Sequence, residues 1–554
     1  MGDAGREPMA MLEAAAEQLW GAARLSAVRP LLRRTAEALV TVQAVPLPPA
    51  ALTPPFGHPS PARGRGPAAR PGRGTGEHGL RHGAGVSPGL AAPASRGAFG
   101  RGAGGEGADL TELSAAEAAE RIARRELSPV DLVEALLART TRLDPELRVW
   151  AHLDAEEARA AARRLADEAA RGALRGPLHG VPIGVKDIFH VAGLPTRAGS
   201  RVYRSEPTED ATVVARLRRA GAIILGKTHT TEFAYADPAP TRNPWRPTHT
   251  PGGSSSGSAA GVAARMVPVA LGTQTAGSVL RPASFCGVVG FKPTYGRLSR
   301  HGVLPLAWTL DHPGTLTRTV ADAALLLSVM AGPDGRNDLC ADVPVADYQA
   351  AVRDPRPPRV GLVGEVYPER LSTAARTCLG ETARRLERAG ATLVTLELPP
   401  ILSAALDTHH LLMASEASAV HLEGIRAQPE VYGPRLRLLV EVGALIPAPA
   451  YLRAQRLRRL IRAAVLPLFE QADCLLVPAA PGAAPAGLDS TGDPSFNALW
   501  SLLGLPAIAL PAGLDPEGLP LGVQLVAAPW REAEVLAAAA WCERVLPPMP
   551  APPG

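Results

Sequence analysis

Residues 51–108 constrain this chain more than any other stretch, because they consist mainly of Gly, Pro, Ala and Arg. A segment with so few apolar side chains cannot bury enough surface to offset the entropy that ordering costs. We therefore predict a disordered linker at 51–108. It separates a short helical appendage (1–50) from a body (109–546) long enough to bury a large core, and a flexible tail follows at 547–554.

The net charge of +5 and the pI near 9.1 suggest a nucleic-acid partner, but the positive charge is local. Residues 51–105 hold seven arginines and one acid, Glu77, a surplus of six positive charges that leaves the other residues at −1. Only Phe56 and Phe99 accompany these arginines, so the stacking platforms of single-stranded nucleic-acid binding are missing. An RNA-associated protein is therefore the least favoured alternative. The arginines are Arg63, Arg65, Arg70, Arg73, Arg81, Arg96 and Arg101.

The five cysteines are scattered and include no Cys-x-x-Cys pair. This pattern favours reduced thiols in a cytoplasmic protein over a disulfide scaffold or a zinc site, and we expect neither a metal nor a cofactor. The N-terminus contains acids where a signal peptide needs an apolar run. The apolar stretch 496–514 is interrupted by Asn497, Ser501, Pro506 and Pro511, so we interpret it as core strands and turns, not as a membrane span.

From about residue 110 onward, β-type runs alternate with helical segments, an order typical of an α/β domain with an internal sheet. Apolar runs predict strands at 181–185, 222–225, 288–291, 360–362 and 393–396. Apolar residues three and four positions apart predict helices at 210–220, 258–267 and 373–389, and two more in the appendage at 9–25 and 28–42.

Two motifs in the body imitate functional loops. Residues 221–228 have the letters of a phosphate-binding P-loop, but the residues between the glycines are Ala, Ile, Ile and Leu, which themselves predict a strand. Residues 253–257 match the Gly-x-Ser-x-Gly of a nucleophile elbow, yet a loop leads into them where that motif needs a strand. The adjacent His409 and His410 lack the spacing of metal ligands and are interpreted as surface or core residues.

Three segments of the sequence together indicate one type of catalytic chemistry. Lys186 ends an apolar, strand-like run, Ser254 lies in a Gly/Ser loop, and Ser278 lies in a second loop of small residues. Burial disfavours a charged lysine and lowers its pKa toward the neutral, basic form. Gly/Ser loops let the backbone approach a substrate and offer several N–H groups to an oxyanion. The combination predicts a serine hydrolase whose base is lysine and not histidine.

These segments resemble the amidase signature family, whose members hydrolyse carbon–nitrogen bonds of amides with a Ser–Ser–Lys triad. The resemblance covers about residues 110–545 and implies the amidase-signature fold, a large mixed twisted sheet with helices on both faces. The other matching blocks lie at 176–187, 210–217, 220–228, 285–294, 310–314 and 518–525.

The resemblance implies a role for each residue of the triad. Lys186 corresponds to the base, Ser278 to the nucleophile, and Ser254 to the bridging serine, which in the family follows a cis peptide bond. Here that bond would join Gly253 and Ser254, and Ser255 belongs to the same supporting loop. The backbone N–H groups expected to form the oxyanion hole are those of Thr275, Ala276, Gly277 and Ser278.

The chain also departs from the family's usual Asp-x-Gly-Gly-Ser-x-Arg pattern. Gln274 replaces the carboxylate, Ala276 replaces a glycine, and Arg281 falls one position late. Because the triad spacing is intact, we expect the chemistry to persist and substrate recognition to differ. Gln274, Arg281 and Trp308 are the candidate residues of the substrate pocket.

The appendage has a resemblance of its own. Residues 9–50 resemble the small helical partner subunit that accompanies the 1-carboxybiuret hydrolase type of amidase. This implies a chain that fuses partner and enzyme, so that a high effective concentration replaces bimolecular assembly. A plain pair of amphipathic helices explains the same residues equally well.

The sequence thus predicts an amidase that hydrolyses an amide or ureide bond of a small molecule through an acyl-enzyme. The alternative is a glutamine-hydrolysing subunit of an amidotransferase complex. The expected partner is a small-molecule substrate, with no membrane and no nucleic acid, and a homodimer is compatible with the sequence. The intact Lys186, Ser254 and Ser278 argue against a catalytically dead homologue.

Overall fold

A computed structural model describes residues 6–47, 109–364 and 367–553. The predicted linker at 51–108 lies outside the described residues. The described parts form eleven β-strands: β1 (Trp150–Leu153), β2 (Pro182–Lys186), β3 (Ile223–Thr228), β4 (Val269–Gln274), β5 (Val289–Lys292), β6 (His312–Thr317), β7 (Arg359–Val363), β8 (Thr392–Leu396), β9 (Cys474–Pro478), β10 (Ala507–Leu514) and β11 (Pro520–Val526).

Helices account for most of the remaining described residues. They are α1 (Arg6–Trp20), α2 (Ala22–Ala44), α3 (Ala115–Ala123), α4 (Pro129–Leu147), α5 (Ala155–Ala170), α6 (Thr212–Arg219), α7 (Ser256–Ala263), α8 (Leu280–Cys286), α9 (Val320–Met330), α10 (Tyr348–Arg353), α11 (Thr373–Arg388), α12 (Ala405–Ala427), α13 (Pro434–Gly443), α14 (Ala448–Val465), α15 (Leu468–Gln471), α16 (Ser495–Leu502) and α17 (Glu532–Val545).

All strands of the described residues belong to one sheet, in the order β1-β3-β2-β4-β6-β5-β10-β11-β9-β7-β8. Strand β2 runs parallel to its neighbours β3 and β4, and β7 runs parallel to β8 and β9. The other pairs are antiparallel. The predicted α/β class with a large mixed sheet is therefore confirmed.

Neighbouring residues of the central strands enter cores on opposite faces of the sheet. In β10, Ala507 and Ala509 join the core packed by α2, α4, α7, α8, α12 and α16, whereas Ile508 and Leu510 join the core packed by α6, α9, α11 and α17. Because helices cover both faces, the strands are near-continuous apolar runs without polar alternation. This is why short apolar runs in the sequence located them.

Strand β3 runs through the residues that imitate a P-loop. Before it, Gly221 has a φ of +92°, the left-handed conformation in which a glycine ends a helix. The Nζ atom of Lys227 lies 2.8 Å from Oδ1 of Asp187, and both side chains are buried. The lysine that a P-loop offers to a phosphate is thus engaged in an internal ion pair.

The interpretation of 496–514 as strands and turns is wrong for its first half. Residues Ser495–Leu502 form α16, and the strand β10 begins only at Ala507. Every residue of α16 is buried, so its polar side chains Asn497 and Ser501 face the interior, and the helix has no solvent-facing polar side of the kind that marks a surface helix in a sequence. Across the ranges that the structure describes, no helix has both the length and the apolar character needed to cross a membrane.

The N-terminal helices pack on the body of the protein. Helix α2 contacts α12, α13 and α14, and Arg24 forms an ion pair of 2.6 Å with the buried Glu441 of α13. The break between α1 and α2 falls at Gly21, earlier than the predicted gap between 25 and 28. Gly21 has a φ of +80°, a conformation that glycine adopts without steric cost.

Candidate active site

The amine of Lys186 lies at the centre of the candidate site. Lys186 ends β2, the strand that β3 and β4 flank, and its side chain is fully buried. Its Nζ atom is 2.7 Å from Oγ of Ser254 and 2.8 Å from Oγ1 of Thr273. Burial holds the pKa of Lys186 well below its usual range, and the carboxylate of Asp311 opposes this shift. Burial therefore favours the neutral amine, which is the form that can accept the hydroxyl proton of Ser254.

The loop that carries Ser254 has the predicted backbone. The Gly253–Ser254 peptide bond is cis, and a Cβ atom at Gly253 would lie 2.7 Å from Cγ2 of Thr491, so only glycine fits there. Ser255 ties the loop to its surroundings. Its Oγ atom lies 3.3 Å from both the N and the O atoms of Thr273, and its N–H donates to the carbonyl of Ser278 at 3.3 Å. Ser255 thereby joins the Ser254 loop to the end of β4 and to the loop that carries Ser278.

Ser278 lies between β4 and α8 and is buried. Among the hydrogen bonds of the described residues, none uses the N–H of Ala276, Gly277 or Ser278 as donor. Free N–H groups next to the expected nucleophile are what an oxyanion hole requires. The carbonyls of this loop are engaged, since Ser501 donates to the Ala276 oxygen at 2.7 Å.

Gln274 and Arg281 support these loops from inside. The Oε1 atom of Gln274 accepts from the N–H groups of Val279 and Leu280 at 2.8 and 2.9 Å. The guanidinium of Arg281 is buried and donates to the carbonyl of Gly253 at 2.7 Å. This geometry favours a role in shaping the serine loops over the predicted contact with substrate.

Trp308 is 46% exposed and lines a cavity of about 460 Å³. Thr273, which binds the amine of Lys186, lines the same cavity, together with Arg300 and Asp311. Trp308 is therefore the predicted pocket residue that the structure places beside open space near the triad. The chemistry around it is mixed, with an aromatic ring, a cation and a buried carboxyl.

The structure offers no metal site in its described ranges, where no group of three or more His, Cys, Asp and Glu side chains could hold an ion. The five cysteines are free thiols.

A comparison with protein families assigns this arrangement. The family model described as Amidase matches residues 131–536, which contain Lys186, Ser254 and Ser278. The chain belongs to the amidase family. The recognition made from the sequence is confirmed for the body, and the resemblance of the N-terminal helices to a partner subunit stays a prediction.

This amidase is similar to curated proteins of two descriptions. It is 40% identical over 485 residues to a subunit of the glutamyl-tRNA(Gln) amidotransferase of Anaeromyxobacter sp. (strain K), an alignment that covers 80% of this chain and 98% of that protein. It is 39% identical over 426 residues to an amidase of Pseudomonas putida, an alignment that covers 74% of this chain and 91% of the relative.

Solved structures give the same family. A chain from work on a vestigial protein complex and the evolutionary origins of an s-triazine catabolic enzyme has a TM-score of 0.73 and 34% identity, and the match covers 78% of this amidase and 98% of that chain. The native peptide amidase of Stenotrophomonas maltophilia has a TM-score of 0.70 and 32% identity, and the match covers 80% of this amidase and 98% of that enzyme.

Sequence reasoning missed several side chains of the site. Asp311 lies in the block 310–314 and Thr273 lies in the segment before Ser278, but no local pattern distinguishes either residue from its neighbours. Asp311 is buried and accepts from Oγ1 of Thr275 at 2.5 Å. His409 and Ser501 contact the loop before Ser278 from distant helices, and no local sequence pattern distinguishes them from the other polar residues of α12 and α16.

Proposed function

We propose that this amidase hydrolyses the carbon–nitrogen bond of an amide, with Ser278 as nucleophile, Ser254 as relay and Lys186 as base. The observation that carries the proposal is the fully buried amine of Lys186, 2.7 Å from Oγ of Ser254. A lysine held neutral at physiological pH is a competent general base, whereas a solvated lysine is not.

The proposed reaction begins when Lys186 accepts the proton of Ser254, which accepts that of Ser278 as its Oγ atom attacks the amide carbon. The N–H groups of Thr275 to Ser278 hold the developing oxyanion, and those of Ala276, Gly277 and Ser278 donate to no other group of the described residues. Collapse breaks the C–N bond, Ser254 gives a proton to the leaving amine or ammonia, and Lys186 returns its proton to Ser254. Water then attacks the acyl-enzyme by the same relay and releases the acid.

The relatives favour glutamine, the substrate of the alternative prediction, over the small-molecule amide or ureide of the main prediction. The name glutamyl-tRNA(Gln) amidotransferase, carried by a relative at 40% identity, supports a glutamine-hydrolysing subunit that passes ammonia to a partner. The Pseudomonas putida amidase, at 39% identity, supports hydrolysis of a free amide. Both substrates use the same acyl-enzyme chemistry, so the proposed triad is common to the two candidates.

Ammonia release from a panel of glutamine, benzamide and biuret tests the proposal. We expect at least one of these amides to be hydrolysed by the full chain and not by a Ser278→Ala variant. Glutamine hydrolysis that increases when partner subunits and glutamyl-tRNA are added would select the amidotransferase. Turnover of benzamide or biuret by the chain alone would select the free-amide enzyme. Hydrolysis by Ser278→Ala at the wild-type rate would disprove the nucleophile.

A further inference from the structure

Two side chains from distant helices bind consecutive carbonyls of the loop before Ser278. His409 of α12 is buried, and its Nε2 atom lies 3.0 Å from the carbonyl oxygen of Thr275. Ser501 of α16 donates from Oγ to the carbonyl oxygen of Ala276 at 2.7 Å. The loop is thus held at two neighbouring peptides.

The partner of His409 fixes which ring nitrogen carries the proton. A carbonyl oxygen only accepts, so Nε2 of His409 must be the donor. Burial lowers the pKa of His409 to about 4, so near neutral pH the ring is uncharged and has a single N–H. That one proton is committed to Thr275.

Ser501 is oriented in a similar way. The Nε2 group of Gln274 donates to Oγ of Ser501 at 3.0 Å, which leaves the hydroxyl proton of Ser501 for Ala276. Gln274, which stands where the family usually has a carboxylate, is a donor here. A carboxylate would instead compete with the Ala276 carbonyl for the same proton.

A hydrogen bond to the carbonyl of a peptide group also affects the N–H at the other end of that group. The C=O and N–H groups of a trans peptide point in opposite directions. A donor that holds the carbonyl of Thr275 therefore orients the N–H of Ala276, and one that holds the carbonyl of Ala276 orients the N–H of Gly277. These are two of the free N–H groups of the loop. Hydrogen bonding at the carbonyl also polarises the peptide and strengthens its N–H as a donor.

We propose that His409 and Ser501 are positioning residues that aim the N–H groups of Ala276 and Gly277 into the oxyanion hole. The inference rests on the proposed function, since it assigns a task to the hole that the Ser278 reaction needs. In this role His409 and Ser501 affect the reaction rate without contacting the substrate.

The neighbouring His410 provides a matched control. It lies on the same helix and is also buried, but its Nε2 atom is 2.9 Å from Oγ1 of Thr35 on α2, away from the loop. Replacing His410 likewise removes a buried imidazole and its hydrogen bond from α12. A loss of reactivity confined to His409 variants would therefore come from the loop contact.

The test uses the full chain and a fluorophosphonate probe, which needs no knowledge of the natural amide. Oγ of Ser278 forms a bond to phosphorus, fluoride leaves, and the hydroxyl proton passes through Ser254 to Lys186. We expect His409→Leu and Ser501→Ala to lower the second-order labelling rate about 10- to 100-fold, because a misaimed donor forfeits much of its stabilisation. His409→Gln, which keeps a donor, should recover most of the rate, and His410→Leu should lower Tm without changing the labelling rate.

The outcomes separate the two proposals. No labelling of the wild type, or equal labelling of Ser278→Ala, overturns the proposed function. Normal labelling of wild type together with wild-type rates for folded His409→Leu and Ser501→Ala overturns the positioning role. Equal losses of rate in His409→Leu and His410→Leu overturn it as well. If His409→Leu does not fold, Ser501→Ala decides alone.

Discussion

The Nζ atom of Lys186 lies 2.7 Å from the Oγ atom of Ser254, and the lysine side chain has no exposure to solvent. Water does not stabilise the ammonium form of a lysine in this position, so the amine is neutral over a wider pH range than the amine of an ordinary lysine. The pair joins strand β2 to a loop 68 residues further along the chain.

Replacing Lys186 by Met should abolish labelling of Ser278 and change the pH dependence of stability. Because the pKa of Lys186 is lowered by folding, the unfolded chain binds more protons between the folded and the usual lysine pKa. The wild-type contribution is therefore fully present above the usual lysine pKa and is lost as pH falls toward the folded value. Urea unfolding of both proteins across this window should show a steeper rise of stability with pH for wild type. Identical pH profiles would contradict the buried neutral lysine.

Replacing Ser254 by Ala should lower the rate of amide hydrolysis by about 100-fold or more, because the variant removes the hydroxyl that relays the proton. Ser256 is the matched control, since its Oγ atom donates to the carbonyl of Gly252 at 2.8 Å and not to Lys186. Ser256→Ala should keep a rate within a few-fold of wild type. Rate measurements on an amide of the panel would reject the relay if both variants behaved alike.

Removing residues 1–108 should lower Tm and cause aggregation. The deletion exposes the apolar surface of α12, α13 and α14 that α2 covers, and removes Arg24 from the buried Glu441. A chain that keeps residues 1–50 but carries Ser in place of the seven linker arginines serves as control and should match wild type. Calorimetry and size-exclusion chromatography give the comparison. Unchanged Tm and solubility after the deletion would remove the idea of a fused partner.

Replacing Trp308 by Ala should change KM for amides more than kcat, because Trp308 lines a cavity whose lining does not include Lys186, Ser254 or Ser278. Leu514→Ala is a suitable control, since Leu514 is similarly exposed, at 42%, and lies outside the residues that line this cavity. Both variants should stay within about 0.5 kcal/mol of the wild-type stability. Equal KM values for wild type and Trp308→Ala would exclude Trp308 from the substrate pocket.

Much of the fold was predictable because its signals are local. Lys186 ends an apolar run, and this run forms β2 in the structure. The residues that follow Gly221 form β3, as expected from side chains that are too bulky for a phosphate-binding loop. Helix α16 was mistaken because its polar residues Asn497 and Ser501 are buried, so in the sequence they interrupt an apolar run and do not mark a solvent-facing side. The first helix was predicted to continue to residue 25 because the apolar spacing continues that far. The chain instead breaks at Gly21, which has a non-helical backbone conformation.

The sequence by itself determined the α/β class, the small-residue loops and the three side chains of the proposed triad, because each depends on residues adjacent in the chain. Only the tertiary structure decided that Gln274 and Arg281 support the serine loops, that α2 covers α12, and that His409 reaches Thr275. The hydrogen bond of His409 spans 134 positions and that of Thr35 spans 375. Contacts at such separations follow from how the helices pack on the sheet, which no local pattern records.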